Sequence, residues 1–294
     1  MALSPHILMA VQVLGVPVSA ELAARWSDWL APQSQPFYLR DPGEFGLSRR
    51  ASSPPGPEIR DTLQLYRLQG ELSCVWLNEE DFACLPRFTR TALVRAQLGA
   101  GRGGVPTVRA WADLVDPVLL KAQADGNRFV WWPSLLASGD VQAILTRFVS
   151  TRRLTSRHTE VPRSVWKDCA GVLPGAEELA GTFPDGSGPN CFGTVMAAAG
   201  VAGAEDEWVQ DEPFAAWLGG ATRPGGKDEL PGAVLVWRDQ GGIPRHAAVT
   251  LGDGWAMEKP SQDWHSPRTV LGLTQLKAAN RVPGLRLARH SLLR

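Results

Sequence analysis

The sequence predicts an α+β protein in two parts. Its 294 residues exceed what one ordinary core needs, so two domains are the natural expectation. In the last third, 233-AVLVW-237, 246-HAAVTL-251 and 255-WAMEKP-260 are apolar runs separated by tight Gly-rich turns. Consecutive strands joined so closely pair antiparallel. The first half instead alternates helical periods with short strand-like runs, and reads as a mixed α/β region.

Taken in order, the chain begins with 7-ILMAVQVLGVPVSA-20, a run with the length of a signal-peptide core and a Val-Ser-Ala end. The preceding MALSPH lacks the Lys or Arg of a signal n-region, so a first helix packed on the core is the expectation. Ser19 then reads as the N-cap of a helix over 19–31, with Leu22, Trp26 and Leu30 at helical spacing. The Pro-rich 48-SRRASSPPGPE-58 is expected as a surface loop. Apolar runs on both sides of Gln69-Gly70, within 62–77, predict a hairpin.

A helix over 87–98 is stopped by 99-GAGRGG-104. These glycines lack the Lys-Ser/Thr of a phosphate loop and follow a helix, so they read as a connector. The spacing predicts a further helix over 108–124, kinked or broken near Pro117, then a strand-like 129-FVWW-132. Asp140 caps a helix over 140–154. The basic stretch 151-TRRLTSRH-158 marks the start of a boundary between about 150 and 175. An N-terminal region over 1–160 and a second domain over 170–294 follow from it.

Lys plus Arg and Asp plus Glu each number 30, which gives no argument for nucleic acid or an anionic membrane. No run reaches the roughly 18 apolar residues of a membrane span. Cys74, Cys84, Cys169 and Cys191 form no C-x-x-C pair, so neither a zinc site nor a disulfide scaffold is predicted. Reduced thiols in a cytoplasmic protein are the expectation, or a secreted one if residues 1–20 act as a signal peptide. No metal or organic cofactor is indicated.

The chemistry concentrates in the second domain. The loop 183-FPDGSGPN-190 delivers Cys191 to the first turn of a helix over 191–200, with Gly200 as its stop. A Cys there feels the positive end of the helix dipole, which stabilises a thiolate. His246 opens the second strand, at the rim of the sheet. A three-residue Gly252-Asp253-Gly254 loop places Ala248 opposite Glu258, and Glu258 on the face of His246. A two-residue Asp253-Gly254 turn instead pairs Glu258 with Val249, on the other face. Both registers are open at this stage.

The order of these residues resembles the NlpC-type cell-wall peptidases and their CHAP relatives, which share a papain-like core. The similarity spans roughly residues 175–285. The family's D-C-S-G stretch corresponds to Asn190-Cys191-Phe192-Gly193, its P-G-D-L-V to Pro231-Gly232-Ala233-Val234-Leu235, and its H-V-G-I-Y-L-G-N-G to residues 246–254. The resemblance implies a papain-like domain in which a helix-borne Cys packs on an antiparallel sheet. It further implies a cysteine hydrolase with Cys191 as nucleophile, His246 as base and Glu258 as orienter, acting on amides such as peptidoglycan stem peptides or another isopeptide.

Asn190, Phe183 and Trp255 are candidates for the oxyanion site or cleft wall, and His265 is an alternative orienter. The chain departs from the family at Asn190, Phe192 and Ala233. Two other functions therefore remain open, an inactive papain-like binding module and an acyltransferase or toxin-like effector. The expected partner is a peptide-like or acyl-containing small substrate. The N-terminal region is a candidate surface for a protein partner.

Overall fold

The computed structural model describes residues 11–48 and 53–293. The chain divides into two compact units. One holds Val11 and Ser19–Thr151, the other Gln12–Val18 and residues from Arg152 onward. The sequence reading had placed Gln12–Val18 and residues 152–160 in the N-terminal region. Long-range hydrogen bonds assign them to the second unit: Ser156 N–H donates to Leu14 O (2.8 Å), and Arg157 N–H to Val270 O (2.7 Å).

Residues 7–10 of the apolar N-terminal run lie outside the described residues, as do residues 49–52 of the Pro-rich stretch. The described part of that run is not helical. Val11–Val13 and Val16–Val18 are short paired strands. Leu14 and Gly15 between them both have positive φ, the conformation of a two-residue hairpin turn.

In the first unit, helix α1 (Ala20–Leu30) is capped by the Ser19 hydroxyl, which accepts from Leu22 N–H at 3.1 Å. Strand β1 (Ser34–Leu39) pairs antiparallel with β2 (Ser73–Asn78). The hairpin expected about Gln69-Gly70 therefore does not form. Residues 57–62 are helical, and Gln64 turns the chain in the left-handed region, so β2 finds its partner some forty residues earlier. Helix α2 (Arg87–Gly99) covers this ribbon, and Leu93 and Val94 join Phe37, Val75 and Trp132 in the unit's core.

The region 108–124 breaks at the expected proline. Pro117 is the first residue of Pro117–Gln123, and Asp116 caps it through Val118 and Leu119 N–H. The 129-FVWW-132 run is buried but, among the described residues, joins no ladder; beside it lies the single bridge Thr107–Arg128. Helix α3 (Val141–Ser150) begins at its Asp140 cap as expected, and ends four residues early.

The second unit is built on a six-stranded antiparallel sheet. Helices α4 (Arg163–Cys169), α5 (Cys191–Ala198) and α6 (Asp211–Ala221) precede most of it. Its strands are β3 (Thr222–Pro224), β4 (Pro231–Arg238), β5 (Pro244–Gly252), β6 (Trp255–Glu258), β7 (Thr269–Gly272) and β8 (Arg286–Leu292). Their order across the sheet is β3-β8-β4-β5-β6-β7. The sheet is covered on both faces, which explains why its strands read as continuous apolar runs. Val234, Val236, Ala247 and Val249 pack with Val195 and Ala198 of α5. Leu235, Trp237, Ala248 and Ala256 face the other way, onto Leu273 and Leu276 of helix α7 (Leu273–Ala279).

The β5–β6 hairpin decides which residues can meet. Its tip is a two-residue turn: Asp253 and Gly254 have φ of 48° and 78°, and Gly252 pairs with Trp255. One step further, Thr250 pairs with Ala256, which leaves Leu251 without a partner on β6. Leu251 is thus a β-bulge, one extra residue on one strand. The bulge restores the register of a longer loop, and Ala248 stands opposite Glu258.

Candidate active site

Asn190 starts α5. Its backbone is extended, its side-chain Oδ1 accepts from Gly193 N–H (3.0 Å), and its carbonyl accepts from Thr194 N–H (3.0 Å). Its Nδ2 donates to Val209 O at 2.6 Å. Asn190 therefore commits its oxygen and one of its two amide N–H bonds to capping the helix and fastening the 207–210 loop. The backbone N–H groups of Cys191 and Phe192 find no acceptor among the described residues. They are the donors left at this end of the helix.

Cys191 is buried, 8% exposed, and shares the cleft floor with His246, close enough to raise the imidazole's pKa. The other side of that imidazole meets the carboxylate: His246 Nε2 lies 2.7 Å from Glu258 Oε2. Nε2 is thereby committed, leaving Nδ1 as the nitrogen available to the thiol. Trp237, cross-strand from His246, lies 5.3 Å away between ring centroids. Burial alone pulls the imidazole pKa down. Cys191 and Glu258 outweigh it and hold the pKa up at about 10.

A cleft of about 370 Å³ opens over this group. One wall is Trp208–Asp211; another is Lys259–Gln262, with Arg245 beside His246. Trp208 is 55% exposed, a large aromatic face offered at the rim. Lys259 is fully buried. Its Nζ donates to the carbonyls of Ser261 and of Asp263 (3.1 Å), which folds the loop after β6 around the ammonium. Burial, with Arg268 nearby, pushes its pKa well below the ordinary lysine range. The chain leaves the ladder at Glu258 because Pro260 has no N–H to continue it.

Behind Glu258, Asn280 at the end of α7 donates from Nδ2 to Oε2 at 2.5 Å. Sequence reasoning missed Asn280, Lys259 and Trp208. Asn280 follows a helix and reads there as a cap, and nothing local to Trp208 or Lys259 announces a cleft.

The structure thus brings together Cys191, His246 and Glu258. Asn190 lines the cleft beside them, whereas Trp255, Phe183 and His265 stand elsewhere. Trp255 sits at the far end of β6, opposite Gly252 and under the Arg157 guanidinium at 4.9 Å, away from the cleft wall. Phe183 is half-buried beside the Thr182–Arg268 bridge and does not line the cleft. His265 is half-buried against Trp264, and its Nε2 is 3.9 Å from Asp263 Oδ2. Glu258, not His265, occupies the imidazole of His246. Burial, then Arg153 and Lys259, hold His265 neutral by pushing its pKa well below the usual value. Among the described residues no group of three or more His, Cys, Asp or Glu is arranged to hold a metal ion, and no helix is long and apolar enough to cross a membrane.

Comparison with family models, curated proteins and solved structures finds no match to the chain.

Proposed function

We propose that the second unit is a cysteine hydrolase of papain-like, NlpC-type architecture that cleaves an amide through a thioester. One observation carries this reading: His246 is held between Cys191 and Glu258 at the floor of a cleft, at the N-terminus of a helix packed on an antiparallel sheet. A nucleophile beside a base, with the base hydrogen-bonded to an orienter, supplies the parts that covalent acyl transfer needs.

In the proposed reaction, Cys191 gives its proton to His246 Nδ1, and the thiolate attacks the amide carbonyl. The backbone N–H groups of Cys191 and Phe192 receive the oxyanion. As the tetrahedral adduct collapses, the C–N bond breaks, and the imidazolium returns the proton to the leaving amine. Water, deprotonated by His246, then attacks the thioester and releases the acid and the thiol. Glu258 keeps the ring oriented and favours its charged form through both halves. A peptide or isopeptide is the substrate class this chemistry suits, with stem peptides as the first candidates. Product analysis separates hydrolysis from transfer of the acyl group to another amine.

The test is the pH dependence of Cys191 alkylation by iodoacetamide, located by mass spectrometry. Cys191 is expected to react much faster near pH 6–7 than Cys74, Cys84 and Cys169, and to lose that advantage in His246→Ala. A Cys191 as slow as the others, or indifferent to His246, removes the enzyme reading and leaves a binding module.

A further inference from the structure

Glu258 is held by two donors, and only one of them belongs to the reacting pair. His246 Nε2 approaches Oε2 from the cleft side, and Asn280 Nδ2 approaches the same oxygen from α7 at 2.5 Å. Among the described residues no other side chain is hydrogen-bonded to this carboxylate. The orientation of the Asn280 amide is determined by its neighbours. Nδ2 also donates to Leu276 O (3.0 Å), so both N–H bonds of the group end on acceptors and the opposite orientation would face oxygen with oxygen.

An oxygen that accepts from Asn280 is the better acceptor when it carries no proton. The amide thus favours a bare Oε2 with His246 donating from Nε2, which turns the lone pair or second proton at Nδ1 toward Cys191. The restraint is needed because there is room behind the carboxylate. A cavity of about 190 Å³, lined by Glu258, Asn280, Thr269, Leu271 and Pro267, opens on that side. Without Asn280 the Glu258 side chain has space to rotate away from the imidazole. Helix α7, in turn, is seated by Leu273 and Leu276 on the sheet face that carries Ala248 and Trp237.

We infer that Asn280 is a positioning residue for the Cys191–His246–Glu258 group, one that locks the Glu258 carboxylate toward His246 and so selects the ring tautomer that serves Cys191. This inference rests on the hydrolase reading above. A residue that merely closes the end of α7 would affect stability alone, so the experiment reads chemistry and folding separately.

Cys191 alkylation by iodoacetamide is measured from pH 5 to 10 in the parent, Asn280→Ala, Asn280→Asp, Glu258→Gln and His246→Ala. Urea unfolding of each is followed in parallel. The loss of one hydrogen bond to a charged group predicts that Asn280→Ala reacts about tenfold more slowly near pH 6–7. Asn280→Asp, which keeps the shape, sets two carboxyl groups on one proton and slows the reaction further, with recovery only at higher pH. If Asn280→Ala does not fold, the isosteric Asn280→Asp decides alone. The inference is overturned if both Asn280 variants keep the parent's rate at every pH while His246→Ala and Glu258→Gln are slow; Asn280 is then a helix cap. If His246→Ala also keeps the parent's rate, the hydrolase reading itself falls, and the role of Asn280 with it.

Discussion

Gly193→Ala sets two opposed effects against each other inside α5. In a helix, Ala is favoured over Gly by roughly 0.5–1 kcal/mol. At this position, however, a Cβ would stand 2.2 Å from the carbonyl oxygen of Ala204 and 3.1 Å from that of Glu207. A tolerable carbon–oxygen contact begins near about 3.3 Å, so the obstacle must retreat by roughly 1 Å. It is a backbone carbonyl, unable to swing aside as a side-chain tip would. Overpacking costs about 1–3 kcal/mol, and an immobile obstacle puts this case in the upper half. The net expectation is a loss of about 1–2 kcal/mol. Gly193 N–H also donates to the Asn190 cap, so the first turn that carries Cys191 shifts with it. The assay is Cys191 labelling across a urea series, located by mass spectrometry, which reports unfolding of this unit specifically. The midpoint should fall with its slope unchanged. A midpoint equal to or above the parent's refutes the reasoning, because the propensity gain would then have met no obstacle.

Gly219→Ala tests the converse: a Cβ there meets nothing within 4 Å, so this change inside α6 should raise the midpoint, by about 0.5–1 kcal/mol. The His246 imidazole, raised from 6.5 to about 10, contributes stability that is full below pH 6.5 and is lost as pH rises through about 10. In Glu258→Gln the ring should release its proton at lower pH, and an unchanged imidazole titration by NMR would contradict the coupling. Asp228, held from 3.8 down to about 2 first by Arg289 and then by Lys277, contributes stability above pH 3.8 that disappears as pH falls through 2. The parent's advantage over Asp228→Asn in urea, about 1 kcal/mol after solvent screening, should vanish across that window. An advantage that persists at pH 2 would rule the ion cluster out as its source.

What could be read from the sequence was whatever short-range pattern specifies. Ser19 and Asp140 announce helix starts by their own side chains. The strands β4 to β6 follow each other through tight turns, so their order and the sequence Cys191, His246, Glu258 were legible as local features. The failures share one cause, a partner far away in the chain. The β2 strand was given to its sequence neighbour because nothing in residues 62–77 refers to Ser34–Leu39. The extended FVWW run has strand-like composition, but burial rather than pairing selected its residues. Asn280 gained its role only when α7 folded back over β6. Trp255 was chosen as an aromatic near the site in sequence, yet three residues along a strand carry it to the other end of the hairpin.

Leu251, which has no partner on β6, has a further consequence, best expressed as parity. The β5–β6 hairpin holds one residue more than its regular register requires, and the bulge absorbs the surplus. Changes of length in this hairpin are therefore not equivalent. Losing Leu251 would let the ladder close without a bulge and still leave Ala248 opposite Glu258. Losing Val249 removes the same one residue, and the surplus at Leu251 can move up the strand to fill the gap, so His246 keeps its face while Thr250 and Leu251 exchange theirs. One deletion is thus absorbed by the bulge, whereas losing both residues would leave the imidazole and the carboxylate back to back. What brings the pair together is a count of residues, and the chain keeps that count at Leu251.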